Sequence, residues 1–204
     1  MKIEVKNIGK YFGERKIFSN MNFEISSGSS IAITGPNASG KTTLMRIISG
    51  LLNPTEGAVI YFNNDTELKE REKFNHLGLV GPYLELYNDL TAMENLKFFS
   101  KMKRIENDES IILDLLDKMN LSGHESDLVK NYSSGMKQRL KYVFALLDSP
   151  EILLLDEPTS NLDKEGINTV YKIMENQKSN GILIIATNDE ADLKFGDSQI
   201  AIAS

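Results

Sequence analysis

Two hydrophobic rhythms run through the chain. Short segments either alternate apolar and polar residues or string four or five apolar residues together, and longer segments space their apolar residues three and four apart. Alternation puts successive side chains on opposite faces of a strand, whereas the wider spacing puts them on one face of a helix. This reading predicts strands near 2–8, 21–25, 30–34, 57–62, 76–80, 151–156, 181–187 and 198–203. The first helix is expected from Lys41 to about Ser49, with Gly50 as its C-terminal stop. Thr91-Ala92-Met93-Glu94 has the spacing of a capping box and opens a helix with Met93, Leu96, Phe99 and Met102 on one side. A second helical stretch carries Ile111, Ile112, Leu115, Leu116 and Met119, and a third, after Ser133, carries Met136, Leu140, Val143, Phe144 and Leu147. Strands alternating with helices give an α/β fold, a mixed sheet with flanking helices. Residues 1–204 are read as one domain, with a core of about 1–81 and 149–204 and an inserted helical subdomain of about 82–148.

Composition narrows the chemistry. With 23 basic against 29 acidic side chains the net charge is −6, which argues against a general electrostatic hold on nucleic acid or anionic lipid. There is no cysteine and there are two histidines, so thiol nucleophiles, disulfides and a histidine-built metal site are set aside. The N-terminus alternates like a strand rather than a signal peptide, and the longest apolar runs, Ile152–Leu155 and Ile182–Ala186, are strand-sized. A soluble, cytoplasmic protein without direct membrane insertion is expected.

The strand Ser30–Thr34 leads into Gly35-Pro36-Asn37-Ala38-Ser39-Gly40-Lys41-Thr42-Thr43 and then a helix. Strand, GxxxxGKT loop and helix together form the phosphate cradle of a P-loop NTPase core: glycines let backbone N–H groups converge on phosphate oxygens at a partly positive helix N-terminus. Lys41 is placed to reach the β and γ phosphates and the Thr42 hydroxyl to ligate Mg²⁺. A second apolar strand, Ile152–Leu155, delivers Asp156 and Glu157 at its C-terminal end, where open α/β sheets hold ligands. Asp156 is assigned to the Mg²⁺ shell, and Glu157 to accepting a proton from, or orienting, the attacking water.

Between these lies Tyr132-Ser133-Ser134-Gly135-Met136-Lys137-Gln138-Arg139, which resembles the signature segment of ATP-binding cassette (ABC) proteins. The resemblance covers nearly the whole chain. It extends to Asp156-Glu157-Pro158-Thr159-Ser160-Asn161-Leu162-Asp163, similar to the family's second carboxylate motif and adjoining D-loop, and to Phe12 before Gly13, similar to the aromatic that stacks on adenine. It implies an ABC nucleotide-binding domain that uses ATP and Mg²⁺ and pairs with a second copy of itself or a similar ATPase domain. Ser133 and Gly135 of one copy then close the ATP held by the other, and the helix start they open offers backbone N–H groups suited to phosphate.

Two positions depart from the family pattern. The Gln expected after the strand near residue 80 is replaced by Pro82, with Glu85 as a candidate substitute. The switch His is replaced by Asn188, an amide that donates a hydrogen bond to the γ-phosphate or the attacking water but carries no charge. Asn188 therefore joins Lys41 and Glu157 as a candidate catalytic residue. The resemblance further implies an ATPase that drives integral membrane permease subunits, with the apolar loop Tyr83-Leu84-Glu85-Leu86-Tyr87 at the contact, and so a place on the inner face of the cell membrane. Within the family the chain looks most like the small haem-exporter ATPases of cytochrome c biogenesis. The competing reading is a soluble cassette ATPase of an assembly complex, of the iron–sulfur type.

Overall fold

The computed structural model describes residues 1–103 and 109–202. Two sheets form its frame. The first is antiparallel, in the order β2-β1-β4-β5, from β1 (Lys2–Phe12), β2 (Arg15–Ser26), β4 (Glu56–Asn63) and β5 (Thr66–Glu67). The second is parallel, in the order β6-β7-β8-β3-β9, from β3 (Ser29–Thr34), β6 (Leu77–Val80), β7 (Ile152–Asp156), β8 (Ile182–Ala186) and β9 (Ser198–Ala201). The helices are α1 (Lys41–Ile48), α2 (Ala92–Lys103), α3 (Glu109–Lys118), α4 (Ser134–Leu146), α5 (Lys164–Asn180) and the short α6 (Glu190–Leu193).

The parallel sheet is apolar on both faces because both are covered, as parallel sheets require. On β7, Ile152 and Leu154 join a core with α1 and the antiparallel sheet, whereas Leu153 and Leu155 join a core with the helices of the opposite side. On β8 the same alternation sends Ile182, Ile184 and Ala186 one way and Leu183 and Ile185 the other. The side chains of α2, α3 and α4 share that second core with β7 and β8. In the block 82–148 the described residues hold helices and one isolated antiparallel bridge, Thr91–Leu128.

The capping box forms as spaced: Thr91 N–H donates to Glu94 Oε2 at 2.8 Å and Glu94 N–H to Thr91 Oγ1 at 3.1 Å. On α2 the expected face holds at Leu96, which is buried, at Met93, which packs against the second core, and at Phe99, whose ring meets Phe144, but Met102 is 65% exposed. Asn95 is buried as well, bonding the Tyr87 backbone and the Thr91 carbonyl. On α3, Ile112 and Leu116 are buried and Ile111 faces out. The hairpin β1–β2 is longer than the alternation suggests. Register shifts between Val5 and Tyr11, with Asn7 at φ 49°, break the period, so a fixed two-residue rhythm loses the strand. The two-residue β5 and helices α5 and α6 were outside the sequence expectation. Position 203, the end of the last expected strand, lies outside the described residues. Among the described residues no helix is long and apolar enough to cross a membrane.

Candidate functional site

The loop from Gly35 to Gly40 joins β3 to α1, and its backbone needs unusual conformations: Gly35 at φ 148°, Ala38 at 64° and Gly40 at 111°. Gly40 is also fixed by space, since a Cβ there would lie 2.5 Å from Ile17 Cγ2. No side chain caps α1, so its first N–H groups point into the loop, the arrangement that binds an anion. Lys41 folds over the loop and donates to the carbonyls of Gly35 at 2.7 Å and Pro36 at 3.3 Å. Ile17, Asn37, Ala38, Gly40, Lys41, Thr42, Thr43 and Glu157 line an open cleft of about 310 Å³. The loop thus meets the end of β7, as the sequence expects.

Asp156 is 1% exposed, and neither carboxylate oxygen has a hydrogen-bond partner. Burial raises its pKa; Thr42 and Lys41 pull it down without forming a complete hydrogen bond to either oxygen. A buried carboxylate without a hydrogen-bond partner, next to the helix-start Thr42, fits a hard divalent cation. No cluster of three or more acidic, histidine or cysteine side chains occurs among the described residues. Glu157 adopts a left-handed backbone at φ 52°, its N–H bonded to the Ala186 carbonyl at 2.8 Å, so the chain leaves the sheet sharply there. Burial raises its pKa, Lys41 opposes this, and Asp156 adds to it.

Asn188 Nδ2 donates to Asn37 Oδ1 at 2.9 Å, tying the end of β8 to the phosphate loop. Next to it, buried Asp192 accepts from the hydroxyls of Thr159 (3.0 Å), Tyr171 (3.0 Å) and Thr187 (3.2 Å). Phe12 is 51% exposed at the tip of the β1–β2 hairpin, with Lys10 Nζ 5.0 Å from its ring centre, so one aromatic face is free to stack.

Ser133 caps α4 by accepting from Met136 N–H at 3.1 Å. Ser133 and Gly135 line a second cleft, of about 530 Å³, with Asn161, Asp163 and Arg139. Arg139 Nη2 bonds Asp163 Oδ1 at 2.6 Å, and Asp163 caps α5, so the α4 start and the Ser160–Asp163 turn are locked together. This cleft shares no lining residue with the first. One chain therefore brings Lys41, Thr42, Asp156 and Glu157 together and leaves Ser133 and Gly135 in a separate cleft. Glu85 is exposed and acts electrostatically on Lys141, not on the carboxylates. The residue that sequence reasoning missed is Tyr83, whose hydroxyl is buried and unpartnered and whose pKa is raised by burial first and Asp156 second. Its position beside the absent Gln was the available signal.

A family model described as ABC transporter matches residues 18–160. The chain belongs to the ABC transporter family. It is 37% identical over 186 residues to the lantibiotic transport ATP-binding protein SrtF of Streptococcus pyogenes, covering 91% of this chain and 79% of that protein. It is 33% identical over 189 residues to the cytochrome c biogenesis ATP-binding export protein CcmA of Aliivibrio fischeri, covering 92% of each. A solved dimeric ATP-binding cassette in a post-hydrolysis state, bound to ADP and Pi, superposes with a TM-score of 0.82 at 28% identity, over 98% of this chain and 94% of that one. The α/β fold with its P-loop core is thus an ABC ATPase domain, and the chain is an ATP-binding and ATP-hydrolysing subunit of an ABC transporter. The haem-exporter likeness is shared with a lantibiotic transporter.

Proposed function

We propose that this ABC ATPase works as a pair, each ATP held between the phosphate loop of one copy and the Ser133–Gly135 helix start of the other. The observation that carries this is the division of donors between two clefts with no common residue. The Gly35–Thr43 loop binds the phosphates, with Lys41 leaving its own loop carbonyls for the β and γ groups. Phe12 stacks on the base. Thr42 and Asp156 hold Mg²⁺, which when bound offsets phosphate charge. Glu157 orients or deprotonates the attacking water, and Asn188 supplies a neutral donor. The pair sits on the inner face of the cell membrane through integral membrane permease subunits, which contact the cargo. That division suits one ATPase design to relatives named for different cargoes.

Two measurements test this reading. Lys41→Ala removes the cation aimed at the phosphates, so ATP affinity should fall by at least about tenfold and turnover should be lost; normal turnover overturns the site. Purification in mild detergent should recover a polytopic membrane protein with the ATPase. Recovery of soluble partners alone favours an assembly-complex ATPase.

A further inference from the structure

Strands β6 and β7 run parallel in register, with Val80 opposite Leu155, so the chain that leaves β6 at Gly81 starts beside Asp156. It then folds back. Leu84 N–H bonds the Gly81 carbonyl at 3.2 Å, and the Tyr83 ring comes so near Gly81 that a Cβ there would lie 2.9 Å from ring atom Cζ. Arg46 of α1 stands 5.6 Å from the ring centre, and the ring packs against the core on the α1 side.

A tyrosine kept only for its ring normally turns the hydroxyl to water or to a protein acceptor, because burying it without a partner is destabilising. Tyr83 does neither. Among the described residues four buried side-chain atoms have no hydrogen-bond partner: Tyr83 Oη, both oxygens of Asp156, and Ser39 Oγ. They come from three segments, the turn after β6, the end of β7 and the phosphate loop. Buried polar groups are almost always satisfied, so the orphaned Tyr83 hydroxyl and Asp156 carboxylate, at the ends of adjacent strands, point to a missing hydrogen-bonding group. The Asp156 charge reaches the phenol and raises its pKa, yet the two do not bond each other.

We propose that the Tyr83 hydroxyl binds the hydrated Mg²⁺ of Mg²⁺–ATP, through a hydrogen bond to a water of the metal's shell, and stands in for the absent Gln. This deepens the Mg²⁺ reading above and rests on it. A phenol both donates and accepts through one oxygen, which suits a metal-bound water next to a carboxylate. Because the ring is braced by Arg46 and Gly81, the turn that leads toward α2 is fastened to the metal through one rigid side chain.

Tyr83→Phe removes the hydroxyl and keeps the ring. ATP binding is measured calorimetrically in a Glu157→Gln background, which stops turnover, once with excess Mg²⁺ and once with EDTA. Affinity with Mg²⁺ should fall about three- to tenfold, the effect of one hydrogen bond, while affinity in EDTA stays the same. The ligand-free melting temperature should stay level or rise, since an unpartnered hydroxyl is gone. Unchanged affinity with Mg²⁺ overturns the assignment, and so does an equal loss in both conditions. If the parent protein itself binds ATP equally with and without Mg²⁺, the Mg²⁺ reading falls and Tyr83 with it.

Discussion

Asp192 shows how single side chains carry the site without touching nucleotide. Three hydroxyls donate to its carboxylate, from Thr159 just after the Asp156–Glu157 pair, Thr187 just beyond β8, and Tyr171 on α5. Burial still raises its pKa. A raised folded-state pKa means the native protein binds more protons than the unfolded chain between the ordinary and the raised value. The stability Asp192 contributes by protonation is therefore full below its ordinary pKa and is lost as pH rises through the raised one. Urea denaturation from about pH 4 upward should show that slope in the parent protein and a flatter one in Asp192→Asn. Asp192→Ala strands the three hydroxyls and should cost about 2–4 kcal/mol near neutrality. Asn188→Ala removes the donor proposed for the γ-phosphate, which in this structure bonds Asn37, and should lower turnover by about ten- to a thousandfold. Because Asn188 does not ionise, the pH–rate profile should lack a step near pH ~6.5, and Asn188→His should add one. An unchanged rate in Asn188→Ala would leave the residue only its bond to Asn37. That Lys41, Asp156 and Glu157 converge was legible in the sequence, because motif spacing puts the loop and the end of β7 side by side. The Asn188–Asn37 bond joins residues 151 apart, and Tyr83 owes its role to a folded-back turn, so no local pattern announces either.

Elements place these side chains through close backbone packing. Strand β6 lies against α4 and the chain entering β7, where Gly78 leaves no room: a Cβ would meet the Ala145 carbonyl oxygen at 2.6 Å, Pro150 Cγ at 2.7 Å and Leu153 Cδ1 at 3.1 Å. Two of these neighbours are backbone or ring atoms that yield little. Gly78→Ala should thus destabilise the fold by about 1–3 kcal/mol, as overpacked cores do, read as a lower denaturation midpoint. A midpoint equal to the parent's would show that β6 and α4 shift apart freely. The same packing explains what the hydrophobic pattern conveyed. Strands β7 and β8 are buried on both faces, so their apolar runs stand out, and the α2 capping box is a local code. The hairpin β1–β2 hid its length behind bulges, and α2 also buries Asn95, a polar residue that a hydrophobic count ignores.

At the scale of the whole molecule the decisive feature is that neither cleft encloses a nucleotide. The phosphate-loop cleft is open, and the Ser133–Gly135 donors face a cleft of their own, also lined by the Arg139–Asp163 pair. In the proposed pair, two chains related head to tail would place each donor set over the other's ATP, so that the ligand becomes part of the interface and association follows occupancy. Glu157→Gln keeps the shape of the site but removes the proposed base, which should hold ATP unhydrolysed. Light scattering of that variant should then show the molar mass double on adding Mg²⁺–ATP and return to the monomer when nucleotide is removed. Adding Ser133→Ala takes away a hydroxyl and the α4 cap, a loss of about 1 kcal/mol in stability, without altering the phosphate loop. The double variant should still bind ATP yet require higher protein concentration to pair. A mass that stays monomeric with ATP bound, even at high protein concentration, would mean that pairing needs the permease or does not occur.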